Sequence, residues 1–318
     1  MKNLLSIAGN ARSYRQFAHY CHNLTLLFPD ITLEESATYY SQTMALQQPT
    51  PFKPGEIDAV LLSRIQAITS NYQNRCCIWI AFHTGPYPLL VHLLHYCNGT
   101  PLTVLMSAQA YNDYKSAYDD RHLNLPHIDM IDVQQPRAIW SIHRALLTGR
   151  QLLAFIDGNM GSTVDSRNRL SISFGKHVWQ IRTVLPHLAH QYGVPLVPLY
   201  LVYTPWDALT CFGGRAYYPT GMIRTDFVNQ SLQSICGDFV KQLPSATANW
   251  KGWLFAHHDI IRSGIGQSYP TADADLLPYP TTKRHYVMSR ISGQFMEVDL
   301  PYFQHIKVFI DKLVNIYQ

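Results

Sequence analysis

Apolar positions along the chain change period several times, and each change marks an element. Between residues 13 and 28, Tyr14, Phe17, Tyr20, Cys21, Leu24 and Phe28 recur at helical spacing up to Pro29. Thr32 followed by Glu35 predicts a capped second helix running to about residue 46, and a third is expected over 56–70 after a proline-bearing stretch at 48–54. From Cys76 the rhythm shifts to short continuous apolar runs separated by helical segments. Strands are expected before His83 and at 102–106, 128–132, 151–156 and 194–203; helices are expected from the turn after His83 to about 98 and over 112–120, 136–147 and 183–192. Shorter runs at 170–174 and 178–179 flank Gly175, Lys176 and His177. Helices at 227–243 and 246–262, a Gly/Pro/Ser-containing boundary at 264–280, a hairpin at 285–298 and a closing helix at 302–316 complete the pattern.

This alternation predicts an α/β fold: a mixed, mostly parallel central sheet flanked by helices, with a helical N-terminal lead-in. The expected organisation is one domain over 1–262, of which 1–72 is the lead-in, and a C-terminal extension over 263–318 made of the hairpin and the helix.

Composition narrows the function classes. The 25 Lys and Arg against 21 Asp and Glu leave a formal charge of +4, with no basic cluster, which argues against nucleic acid. Six cysteines without a C-x-x-C pair read as reduced, mostly buried thiols, which suits the cytoplasm. The first ten residues stop short of a signal-peptide core, and no apolar run approaches the roughly 20 residues of a membrane helix. The expectation is a cytoplasmic protein whose contact with the inner membrane is peripheral at most.

Candidate chemistry centres on His83, at the end of a buried strand and followed by Thr84, Gly85 and Pro86. The carboxyl edge of a parallel sheet is where ligands bind in such folds, and an imidazole there suits a general base. Gly85 would let a substrate approach the backbone, and amides near it could serve an oxyanion. Asp157 ends a second strand and is the candidate acid partner. His92 and His95 lack a third ligand at recognisable spacing, His257 and His258 diverge on a helix, and no metal is expected. Nucleophile-elbow, phosphate-loop and dinucleotide motifs are absent from the sequence.

Six segments in order across about residues 11–262 resemble the lipid A late acyltransferases, the lauroyl and myristoyl transferases within the wider glycerolipid and lysophospholipid acyltransferase-like group. The carriers of the resemblance are the segment from Asn23 through Phe28-Pro29 to Glu34-Glu35, and His83-Thr84-Gly85 where the family has His-x-Gly. Next come Ile156-Asp157-Gly158-Asn159 and Phe174-Gly175-Lys176. Gly193-Val194-Pro195 and the Trp-rich stretch from Asn249 to His257 complete the set. The family's acid, five positions after the histidine, is Pro88 here, and its phosphate-binding arginine is replaced by the stretch containing Gln109 and Tyr111.

The resemblance implies an acyltransferase with His83 as general base. The departures point away from a phosphosugar lipid and toward an amine or hydroxyl acceptor, small or carrier-bound, in specialised-metabolite biosynthesis. The donor would be a thioester on an acyl or peptidyl carrier protein or on CoA, with no bound cofactor. Expected substrate-binding residues are Gly85, Tyr87, Gln109, Tyr111, Asn159, Arg167 and Lys176. Two other readings are an inactive relative that binds an acylated carrier or partner protein, and lipid A-type acyl or aminoacyl transfer.

Overall fold

The structure, a computed structural model, describes residues 11–46, 55, 57–112, 128–158, 168–204, 208–263 and 275–316. Helix α1 (Ala11–Leu24) buries Tyr14, Phe17, Tyr20, Cys21 and Leu24. It stops short of residue 28, and the chain leaves it through tight turns ahead of Pro29. Helix α2 (Leu33–Leu46) begins on the expected box: Glu35 N donates to Thr32 Oγ1 at 3.1 Å and Thr32 N to Glu35 Oε2 at 2.8 Å. Helix α3 (Ala59–Thr69) is capped by the Asp58 side chain.

The alternating part follows as β1 (Ile78–Ala81), α4 (Leu89–Asn98), β2 (Leu102–Met106), β3 (Ile128–Asp132), α5 (Ala138–Leu147) and β4 (Gln151–Phe155). Next come β5 (Arg169–Phe174), β6 (His177–Arg182), α6 (Val184–Tyr192), β7 (Leu196–Tyr203), β8 (Leu209–Gly213) and α7 (Arg224–Gln242). The remainder holds β9 (Ile260–Ile261), β10 (Leu276–Pro280), β11 (His285–Ser289), β12 (Phe295–Glu297) and α8 (Leu300–Ile316). The fold is α/β with a mostly parallel central sheet, as expected.

Three local expectations are corrected. Residues 246–262 are not one helix but successive 3₁₀ turns at Thr247–Asn249, Lys251–Leu254 and Ala256–His258, ending in β9. Trp250 interrupts them in extended conformation (φ −88°, ψ 109°), which a continuous α-helix does not allow. Strand β8 was not expected, and β10 lies inside the stretch read as a boundary. Prolines 278 and 280 disguise β10, whose one neighbour is β11 and whose other edge is unpaired among the described residues. Most of the helix expected at 112–120 lies outside the described residues.

Compact units also follow a different division from the expected 1–262 and 263–318. One gathers 1–47, 173–179 and 251–318; the other gathers 48–172 and 180–250. In the first unit α1 packs on α2 and β10, and β10, β11 and β12 form an antiparallel sheet against which α8 lies. Asn23, buried on α1, donates to the Trp253 carbonyl at 2.6 Å.

The second unit is built on a six-stranded sheet in the order β3-β2-β4-β1-β7-β8, in which only β8 runs antiparallel to its neighbour. Strand β1 sits inside it with every residue buried, which explains its unbroken apolar run. Its core includes Leu61 and Ile65 of α3, Trp79, and Leu89, Leu90 and Leu93 of α4. At the amino end of the sheet the buried Gln151 accepts from Trp79 Nε1 at 2.8 Å and donates to the Tyr72 carbonyl at 2.8 Å, so its amide is satisfied. Among the described residues no helix is long and apolar enough to cross a membrane.

Candidate active site

Strand order brings the two predicted side chains together. Strands β1 and β4 are parallel neighbours with Ala81 opposite Phe155, so His83 and Asp157, each two residues further on, leave the same edge side by side. The His83 Nδ1 lies 2.9 Å from Asp157 Oδ1, and the His83 amide donates to both carboxylate oxygens at 3.1 and 3.0 Å. Trp250 Nε1 completes the set by donating to Oδ2 at 2.6 Å. A carboxylate only accepts, so Nδ1 carries the proton between the two groups.

Burial separates the roles of the pair. The Asp157 side chain is 0 % exposed, whereas that of His83 is 26 % exposed. Burial alone would raise the Asp157 pKa; the facing His83 and the donors from His83 and Trp250 overturn this and hold it below the usual carboxylate value. The imidazole packs against Tyr87, edge-on, and Phe155, tilted, with ring centroids at 4.8 and 4.7 Å. Its Nε2 takes no hydrogen bond among the described residues.

The turn after His83 is held by the segment that sequence reading took for a helix. Thr84 bridges Trp250 in antiparallel fashion, and Gly85 N donates to the Asn249 carbonyl at 2.9 Å. The Asn249 side chain grips the end of β7, accepting from Tyr203 N at 2.6 Å and donating to its carbonyl at 3.0 Å. Below the turn, Phe82 stacks on Phe239 at 3.7 Å, and Trp250 meets the same ring edge-on at 5.5 Å.

Gly85 therefore has a structural task. It sits at φ +52°, where a Cβ would lie 3.1 Å from the Leu201 carbonyl oxygen. The expectation that amides around it serve an oxyanion is corrected: the Gly85 amide is used by Asn249, and that of Thr84 by the Phe82 carbonyl at 2.7 Å. Pro88, at the family's acid position, is the N-cap of α4.

The remaining expected site residues divide. Tyr87 touches the imidazole. Gln109 and Tyr111 follow β2 at the same edge of the sheet, exposed, and neither bonds to His83. Asn159 and Arg167 lie outside the described residues, and Lys176, exposed in the turn between β5 and β6, belongs to the first unit. His92 is buried on α4, with its pKa lowered to about 4 by burial and by His95. Among the described residues no three His, Cys, Asp or Glu side chains gather as metal ligands. Sequence reading missed Trp250 and Asn249 as members of the site; their indole and amide were visible, but nothing local ties either to strands β4 and β7. No family model matches this chain, and no curated protein is significantly similar to it.

Proposed function

We propose that the protein is an acyltransferase that moves an acyl group, or in a variant of the same chemistry an aminoacyl group, from a thioester to an amine or hydroxyl acceptor. The donor is carried on a carrier protein or CoA, and the setting is specialised-metabolite biosynthesis. The observation that carries this reading is a partly exposed histidine at the carboxyl edge of a parallel sheet, with its Nδ1 bonded to a fully buried carboxylate. The resemblance of the ordered segments to lipid A late acyltransferases supports the same class. Asp157 supports an active enzyme over an inactive binding protein, because it stands in for the acid that Pro88 replaces.

In this mechanism the acceptor's N–H or O–H proton passes to His83 Nε2 as its nitrogen or oxygen bonds to the thioester carbon. Collapse of the tetrahedral adduct breaks the C–S bond, and the proton on Nε2 passes to the departing thiolate. Asp157 stays ionised throughout, orienting the ring and stabilising the imidazolium.

The test is incubation of the purified chain with acyl-carrier and acyl-CoA donors and mixed amines and alcohols, following thioester loss and product mass by mass spectrometry. His83→Ala is expected to lower turnover by about 10⁴-fold or more. Unchanged turnover in that variant would overturn the assignment.

A further inference from the structure

Beside the His83 turn, the second unit contains a cavity of about 80 Å³ whose walls include Thr84, Tyr200, Val202, Phe239 and Leu243. Thr84 follows His83 directly, so their Cα atoms are about 3.8 Å apart. Its hydroxyl is buried, the residue being 1 % exposed, and has no hydrogen-bond partner among the described residues. Three other hydroxyls around the cavity are engaged: Tyr200 donates to Gln242 Oε1 at 2.5 Å, Ser245 to the Gln242 carbonyl at 2.8 Å and Thr204 to the Ala208 carbonyl at 3.2 Å. A wall residue of this mostly apolar space thus carries a buried hydroxyl still in want of an acceptor, which native structures rarely leave unmet.

We propose that this cavity is the acyl site of the donor and that it takes a short group of about four carbons, the thioester carbonyl oxygen accepting from Thr84 Oγ1. This rests on the acyl-transfer reading of His83. An apolar cavity of about 150 Å³ accepts the six carbons of benzene, so one of about half that volume holds three or four. A lauroyl or myristoyl chain would run past Phe212 and Ser245, both exposed, and leave most of its methylenes in water. The substrate class is therefore a short-chain or small branched acyl thioester.

The test is calorimetric titration of the full chain with N-acetylcysteamine thioesters carrying acetyl, butanoyl, hexanoyl and dodecanoyl groups, with 1-butanol followed by ligand-observed NMR as a hydrocarbon probe. Affinity is expected to rise roughly fourfold per methylene from acetyl to butanoyl and then to level off. Ala246→Leu, which fills the cavity, is expected to weaken butanoyl binding about tenfold while sparing acetyl. Thr84→Val should weaken every thioester but leave butanol binding intact. A dodecanoyl ester that keeps the fourfold trend, or butanoyl binding unaffected by Ala246→Leu, overturns the cavity as acyl site and leaves acyl transfer to its own turnover assay. Butanol binding that Ala246→Leu removes, without binding of any thioester, overturns the donor assignment together with the thioester reading.

Discussion

Two histidine sites, one in each compact unit, show what a buried environment does to an imidazole. In the first unit His19 stacks on His257 with ring centroids 3.9 Å apart, and His257 meets His258 at 4.1 Å. Asn23 Nδ2 lies 3.0 Å from His257 Nδ1, which serves as an acceptor, and His22 Nδ1 lies 3.0 Å from the Arg290 carbonyl. Burial, then the neighbouring histidines and Arg15 or Arg262, lowers His19 and His22 to about 4 and His257 to about 3. These rings are neutral packing groups. In the second unit a single imidazole has a buried carboxylate behind Nδ1, two aromatic neighbours and an Nε2 without a hydrogen bond among the described residues. Burial among cations makes a histidine inert; burial of an anion beneath it stabilises the imidazolium that a general base must form.

The largest effect is expected from removing that anion. Asp157→Asn should retain the fold and lower turnover by about 10⁴-fold, because an amide no longer enforces the Nδ1–H tautomer or stabilises the charged ring. Thioester consumption by the variant checks this, and wild-type rates would make the two histidine sites equivalent.

Next is a difference in acid response. The unfolded chain protonates His19, His22 and His257 near the ordinary value of about 6.5, whereas the folded chain refuses those protons until about 4 or below. Between these values the unfolded state binds more protons, so stability is full above about pH 6.5 and falls as the pH drops toward 4. Asp157 responds in the same direction in a lower window: its depressed pKa contributes stability above the ordinary carboxylate value of about 3.9 that is lost only as the pH falls below it. Urea midpoints from pH 7.5 to 3.5 should show the first window, and His19→Gln should make its slope shallower. A slope identical to wild type would count against the burial account.

The smallest effects test the backbone beneath each site. Gly85 and Gly293 both have positive φ, at 52° and 73°. An added Cβ would press on the Leu201 carbonyl at the first and on the His22 ring at the second. Alanine at either is expected to cost about 1–3 kcal/mol, read from urea midpoints. Gly85→Ala should also lower turnover, while Gly293→Ala should leave the rate of the folded fraction unchanged.

Much of the local structure is legible from residue order. The Thr32–Glu35 box, left-handed Gly99 and Gly193 after their helices, and the doubly buried β1 all follow from short-range rules. His83 and Asp157 were each visible as polar residues ending an apolar strand. The 246–262 segment was expected as one helix, whereas its Trp250 bridges Thr84 and its Asn249 side chain bonds Tyr203, both far away in sequence.

The amino-acid sequence by itself determined the alternation of elements, the α/β class and the placing of a histidine and an aspartate at strand ends, because period and capping act within a few residues. Only the tertiary structure decided that β4 lies beside β1 in matched register, which joins Asp157 to His83 across 74 residues. It alone brought Trp250 onto the same carboxylate and grouped the C-terminal strands with α1. Strand order and hydrogen-bond pairing depend on which buried surfaces fit together, and no local pattern encodes that fit.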